Sequence, residues 1–171
     1  MPAITLEQLL AARDARYELQ QQLRKDYPNE TLIVLTVVLP GKVKRCDDSL
    51  TIAHAAVKQV ELVCKGRVKY YQERDLETGF EAYWLVSIDQ FEVKRLLVAI
   101  EEEHPLGRLF DLDVIASDGA PLSRQAVGKP ARRCLLCENE ARFCMRNKTH
   151  TYDEILQKIR EMIDAYRHEP I

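Results

Sequence analysis

The 171-residue sequence predicts an α+β fold with a core of order β-α-β-β-α-β, a helix ahead of it and a Cys/Arg-rich C-terminal segment ending in a helix. Three observations predict it. Thr31–Leu39 (TLIVLTVVL) is β-branched and nearly all apolar, the pattern of a strand buried on both faces. Asp75–Gly79 (DLETG) separates two strand-like runs as a hairpin loop does. Between and after these runs, apolar residues recur at three and four, the helical period.

The elements follow in chain order. Thr5–Tyr27 reads as a helix, with Thr5 as N-cap and Gln8 as its capping-box partner. Leu6, Leu9, Leu10, Tyr17 and Leu23 form a rough apolar face among Gln and Arg, and Pro28-Asn29 ends the helix. Pro40-Gly41 stops the first strand, and the loop Gly41–Ser49 carries Lys42, Lys44 and Arg45. Leu50–Cys64 is helical, with Ile52, Ala53, Ala56, Val57, Val60 and Val63 in register. Arg67–Arg74 and Phe80–Ile88 are the hairpin strands. Phe91–Glu102 is a helix with Phe91, Leu96, Leu97 and Ile100 facing inward, and Gly107–Ala116 (GRLFDLDVIA) is the last strand, before a turn at Ser117–Ala120. Ser123–His150 shows little periodicity, and Tyr152–Arg167 is a closing helix capped by Thr151 or Asp153. This order is that of the split βαβ, or ferredoxin-like, pattern. Palm subdomains of nucleotide-polymerising enzymes share it, although fold does not fix function.

Composition bounds the function classes. Hydrophobic residues are 46% and charged residues 30%, which suits one globular domain over residues 1–171. A formal net charge of −2 argues against a nucleic-acid polycation, so no nucleic-acid partner is expected. Met1–Leu10 has no basic stretch ahead of its apolar residues, so no signal peptide is expected. Leu32–Pro40, the longest apolar run, is too short to span a bilayer. No membrane partner and a cytoplasmic location follow as expectations. Five cysteines, an odd count, argue against a disulfide framework.

Three features are able to carry chemistry. In Asp111-Leu112-Asp113 the two carboxylates, at i and i+2 of a strand, share one face. They repel unless a cation sits between them. A hard ion such as Mg²⁺ suits them and leaves coordination sites for phosphate oxygens, where it neutralises charge on a leaving pyrophosphate. The plainer reading is a solvated strand face. Second, Arg124, Lys129, Arg132, Arg133, Arg142, Arg146 and Lys148 face only Glu138 and Glu140 across one stretch. With Arg108, Lys42 and Lys44 they form a polyphosphate site, an acidic-partner site or a merely solvated surface. Third, Cys134-x2-Cys137-x6-Cys144-x5-His150 offers a closed Cys₃His set for structural Zn²⁺, or three reduced cysteines packed as small apolar residues. His54 reads as a packed histidine. His104, at a helix end near the acidic strand, is a candidate base. A third carboxylate for a two-metal site would come from Asp47, Asp48 or Asp89.

The run His104-Pro105-Leu106-Gly107-Arg108-Leu109-Phe110-Asp111-Leu112-Asp113-Val114 resembles the apo-citrate lyase phosphoribosyl-dephospho-CoA transferase family, or holo-acyl-carrier-protein synthase of citrate lyase. So do Arg132-Arg133-Cys134-Leu135-Leu136-Cys137, followed by Ala141, Cys144, Arg146 and Lys148-Thr149-His150, and the loop Pro40-Gly41-Lys42-Val43-Lys44. The resemblance covers nearly the whole chain and is weakest over the first twenty-five residues. It implies transfer of 2′-(5″-phosphoribosyl)-3′-dephospho-CoA from its triphosphate precursor to a serine of the citrate lyase acyl carrier protein, with pyrophosphate leaving. On that reading Asp111 and Asp113 hold Mg²⁺, and Arg108, Lys42, Lys44 and Arg124 position phosphates. Arg132, Arg133 and Arg146 do the same or grip an acidic carrier protein, and His104 is the guess for the base. The rivals are the same chemistry on another carrier, such as that of malonate decarboxylase, and a non-catalytic zinc-stapled docking module.

Overall fold

The computed structural model describes residues 3–168. Its elements are α1 (Leu6–Asp26), β1 (Thr31–Val37), α2 (Asp47–Val63), β2 (Val68–Leu76), β3 (Gly79–Val86), α3 (Gln90–Glu103), β4 (Phe110–Ile115), α4 (Ala141–Asn147) and α5 (Tyr152–His168). The fold is α+β: five helices and one four-stranded antiparallel sheet of order β2-β3-β1-β4 among the described residues. Because β3 is antiparallel to both β1 and β2, α2 links two parallel strands with β3 between them. In the same way α3 carries the chain from β3 across β1 to β4, which pairs with β1 from Leu32–Ile115 to Val37–Phe110.

Alternation along the strands divides the sheet into two faces. Ile33, Leu35, Trp84, Phe110, Leu112 and Val114 face a large core closed by α2, α3 and α5. Leu32, Val34, Tyr83, Leu85 and Ile115 face a smaller one closed by Leu23 of α1. β1 is therefore covered on both sides, which accounts for its unbroken apolar run.

Local signals set most boundaries. The Thr5 side chain accepts from the Gln8 N–H at 3.2 Å while Gln8 Oε1 accepts from the Thr5 N–H at 2.8 Å, the expected capping box. Thr151 and Glu154 form a second one at the start of α5, so the cap is Thr151 rather than Asp153. α2 starts three residues earlier than its apolar period, at Asp47, because Ser49 Oγ accepts from the Cys46 N–H. The last strand is shorter than its alternation: Gly107–Leu109 is a 3-10 turn and pairing starts at Phe110. The strongest departure is in Ser123–His150, where short-range polar contacts organise a 3-10 turn at Gln125–Val127 and the helix α4. α3 is also rotated from its expected face. Phe91 is exposed, whereas Lys94 and Glu101 are buried with Val93, Leu97, Val98 and Ile100.

Candidate active site

β4 is the last strand of the sheet on its side, and its outer edge has no strand partner among the described residues. Such an edge must be satisfied by other groups. Here the Leu112 N–H donates to Glu101 Oε1 at 3.2 Å, and the Leu112 carbonyl accepts from Lys94 Nζ at 3.4 Å. The Phe110 carbonyl accepts from Arg132 at 2.9 Å, and the Val114 carbonyl accepts from the Leu122 N–H at 2.8 Å. α3 and the Cys/Arg-rich segment thus close the edge with charged side chains, and a cleft of about 940 Å³ lies along it.

Asp111 and Asp113 both line this cleft, on the sheet face opposite Phe110 and Leu112. Thr36, directly across from Asp111 on β1, donates its hydroxyl to Asp111 Oδ2 at 2.8 Å. Burial, then the neighbouring Asp111, pushes the Asp113 carboxyl up to about 6, against the opposing pull of Lys94. A buried carboxyl raised in this way, beside a second carboxylate on the wall of an open cleft, suits a divalent cation.

The cations of the cleft are organised by Glu101. This carboxylate is 3% exposed and lies 2.6 Å from Arg132 and 2.7 Å from Arg124. Its bonds to both guanidinium groups and to the Leu112 N–H tie three segments to the strand that bears the acidic pair. Arg108 also lines the cleft, and its buried Nε has no hydrogen-bond partner among the described residues. Burial, then Arg132 and Arg124, disfavours the Arg108 charge. In total seven Lys and Arg side chains line the cleft against four carboxylates, so it is cationic within a chain of net charge −2.

The other expected residues are distributed unevenly. Lys44 lines the cleft, donates to the Leu39 carbonyl at 2.6 Å and has its pKa lowered by burial. Arg133 is an exposed lining residue paired with Glu138. Lys42 and Arg146 are exposed and do not line it. His104 does not line it either: its ring packs against Phe110 at 5.1 Å and Tyr166 at 5.4 Å, and Nδ1 accepts from the Leu106 N–H. Of the three carboxylates considered as further metal ligands, Asp89 caps α3 and Asp48 pairs with Arg167. None of the three lines the cleft, where Glu101 stands instead.

At one wall of the cleft lies the Cys₃His cluster. Donor atoms of Cys134, Cys137, Cys144 and His150 lie within 4.8 Å of one another. Cys137 Sγ is 3.4 Å from both Cys144 Sγ and His150 Nε2. Tetrahedral zinc with bonds of about 2.3 Å to sulfur and 2.0 Å to nitrogen would space its ligands by about 3.5–3.8 Å, so the set fits a metal ion. The turn that carries Cys134 and Cys137 is pinned by the Cys134 N–H donating to the Asn139 carbonyl and the Ala141 N–H donating to the Arg132 carbonyl. Burial raises the Cys134 thiol, but N–H groups of Leu136 and Cys137 and the other two thiols outweigh it and leave it near about 7. The geometry links this cluster to the cleft through Arg132 and Arg133, immediately before Cys134.

Lys94 and Glu101 were not among the expected site residues. Their signal in the sequence was faint: two charges seven residues apart, in helical register with Leu97 and Val98, on a helix that also carries Glu92, Arg95, Glu102 and Glu103.

Comparisons with known proteins agree with the resemblance. A family model described as "Apo-citrate lyase phosphoribosyl-dephospho-CoA transferase" matches residues 4–166. A Vibrio cholerae serotype O1 (strain M66-2) protein named "Probable apo-citrate lyase phosphoribosyl-dephospho-CoA transferase" is 37% identical over 168 residues, covering 96% of this chain and 94% of its own. The Escherichia coli O9:H4 (strain HS) protein named "Apo-citrate lyase phosphoribosyl-dephospho-CoA transferase" is 32% identical over 165 residues, covering 95% and 90%. "Protein CitXG" of Haemophilus influenzae is 38% identical over 165 residues, which are 93% of this chain but 35% of that longer protein. With the match running almost end to end, the chain belongs to the apo-citrate lyase phosphoribosyl-dephospho-CoA transferase family.

Proposed function

We propose that this transferase moves 2′-(5″-phosphoribosyl)-3′-dephospho-CoA from its triphosphate precursor to a serine of the citrate lyase acyl carrier protein, as a single-domain cytoplasmic enzyme with nucleotidyltransferase-type chemistry. The serine oxygen bonds to the α-phosphorus and releases its proton to solvent, the α–β phosphoanhydride bond breaks with its electron pair on the β-phosphate oxygen, and pyrophosphate leaves. The observation that carries this reading is the Asp111–Asp113 pair at the edge of a cleft rich in Arg and Lys. A nucleophile from a protein substrate needs no serine in this chain, only a site that holds a triphosphate in line with it.

Asp111 and Asp113 would hold Mg²⁺, which when bound supplies charge neutralisation to the phosphate oxygens. Arg108, Arg124 and Arg132 bind and orient the triphosphate, with Lys44 on the same wall. Arg132 is the best anchored, because Glu101 and the Phe110 carbonyl fix its guanidinium. Arg133, with Lys42 and Arg146 outside the cleft, faces solvent where a carrier protein would approach. His104 packs away from the acidic pair, so the reading gives it no proton to move. The Cys₃His cluster would hold structural Zn²⁺ with all four positions filled by protein, keeping Arg132 and Arg133 in place. The strand order and crossovers are read as a ferredoxin-like, palm-type core, whose last strand bears the two acids.

The test is mass spectrometry of citrate lyase acyl carrier protein after incubation with the enzyme, the triphosphate precursor and Mg²⁺. A gain equal to the phosphoribosyl-dephospho-CoA group, abolished by Asp111→Asn or by chelation, is expected. No gain on this carrier, but a gain on that of malonate decarboxylase, would reassign the acceptor. No gain on either would overturn the reading.

A further inference from the structure

Lys94 and Glu101 are both buried charges on α3, and the structure treats them differently. Glu101 is saturated: Oε1 meets Arg132 and the Leu112 N–H, and Oε2 meets Arg124. Lys94 is 5% exposed, yet its one hydrogen bond is a long one, 3.4 Å to the Leu112 carbonyl. Among the described residues no carboxylate lies within 4.0 Å of its ammonium, although Glu101 and Asp113 are near enough to favour the charge. An ammonium has three donors, and a buried charge that fills only one of them, with a long hydrogen bond, is costly to keep. Burial accordingly lowers the Lys94 pKa. A short apolar side chain would fill this helix position at less cost.

The place of Lys94 explains what the charge is for. Its side chain lines the cleft together with Asp113 and Arg108, whose Nε is also buried and unpartnered. Two cations with unused donors, lining one cleft together with an acidic pair, describe a site whose missing partner is an anion. Because Lys94 reaches the cleft from α3 and Arg108 from the turn before β4, the two approach an elongated anion from different elements.

We propose that Lys94 is a further catalytic residue: its ammonium binds the β,γ-phosphate oxygens of the triphosphate and offsets the charge that grows on the departing pyrophosphate. This rests on the reading of the cleft given above. When the α–β phosphoanhydride bond breaks, its electron pair stays on the β-phosphate oxygen, and a cation already placed there needs no reorganisation. Glu101 is the positioning residue of the same device. It prevents Arg124 and Arg132 from repelling Lys94 out of the cleft, and it holds the strand segment between the two aspartates.

Two measurements on Lys94→Met and Lys94→Gln test this. Binding of inorganic tripolyphosphate by calorimetry needs no carrier protein, and transfer kinetics read the reaction. We expect both variants to fold with unchanged or raised thermal midpoints, to bind tripolyphosphate about 10- to 100-fold more weakly, and to lose kcat more than KM for the carrier. Lys94→Gln retains a donor for the Leu112 carbonyl, so a role confined to the strand edge would leave it close to wild type. Tripolyphosphate affinity within about twofold of wild type in a folded variant would overturn the proposal while leaving the transferase reading intact. Weakened phosphate binding in a protein whose wild type transfers nothing to either carrier would retain Lys94 as a phosphate ligand and remove the reaction assigned to the cleft.

Discussion

At the scale of single residues, the acidic pair trades stability for function. Asp113 is raised from 3.8 to about 6 by burial and by Asp111. A carboxyl whose folded pKa lies above its unfolded one contributes stability that is present below the unfolded value and lost as pH rises through the folded value. The metal-free protein therefore loses up to ~3 kcal/mol at this residue between pH 4 and 8, at 1.36 kcal/mol per unit. Asp113→Asn is expected to abolish transfer and to raise the melting temperature of metal-free protein at pH 8 more than at pH 5. Calorimetry at both pH values checks this; an equal change at the two would show that the charge of Asp113 is not the cause.

Neighbouring arginines should also separate. Arg132 is held by Glu101 and the Phe110 carbonyl, while Arg133 is exposed and paired with an exposed glutamate. Exposed ion pairs contribute little, roughly 0–1 kcal/mol. Arg132→Ala is expected to lower kcat/KM by 100-fold or more, since it also removes one of the three partners of a buried carboxylate, on the order of 3 kcal/mol. Arg133→Ala should act mainly through KM for the carrier, by less than about tenfold. Steady-state transfer kinetics with the carrier varied would resolve the two.

Single elements show where the motif residues earn their identity. A Cβ on Gly107 would lie 2.5 Å from the Glu101 carbonyl oxygen and 2.6 Å from that of Ile100. Both are backbone atoms of the last turn of α3, so they cannot swing aside. Gly107 thus permits the 3-10 turn to pass close under α3, which brings Arg108 and Glu101 into one cleft. Gly107→Ala is expected to destabilise by about 1–3 kcal/mol and to reduce transfer beyond that loss. Denaturant melts and activity measured well below the midpoint distinguish the two effects. Gly41 plays a parallel part in the loop after β1. It has φ +92°, and a Cβ there would meet the Tyr152 hydroxyl at 2.2 Å, so α5 packs on a backbone that carries no side chain.

For the molecule as a whole, the sheet and its helices form one body, and the segment from Ser123 to His150 is tied to it by few apolar groups and many polar ones. Leu135, with Leu122 just ahead of the segment, packs on the main core, while Arg124 and Arg132 reach Glu101. A metal in the Cys₃His set would complete the attachment. Removing zinc from the purified protein with a chelator should make residues 123–150 sensitive to protease while the fluorescence of Trp84, fully buried in the sheet, stays unchanged. Elemental analysis should find one zinc per chain beforehand. Loss of the Trp84 signal together with the segment would instead make the metal a determinant of the entire fold.

Legible in the chain itself were the α+β class, the order of the core elements, the capping box at Thr5 and Gln8, the shared face of Asp111 and Asp113, and the four residues of the Cys₃His cluster; the box of Thr151 with Glu154 was not, since Asp153 competed for the same cap. Each rests on a period, a cap or a short spacing, which are properties of residues close in the chain. The helix α4 escaped it because seven residues within a charged stretch carry no resolvable period. The rotation of α3 escaped it for a different reason. Phe91 has the larger apolar surface, yet Lys94 and Glu101 are drawn inward by the unpaired edge of β4, a partner 18 and 11 residues away. Tertiary packing alone sets His104 against Phe110 and Tyr166, leaves Arg108 Nε unsatisfied and Lys94 with one long hydrogen bond, and runs the cleft along that edge. Those outcomes depend on which groups β4 leaves unsatisfied once it pairs with β1, and strand pairing between distant segments leaves no trace in local spacing.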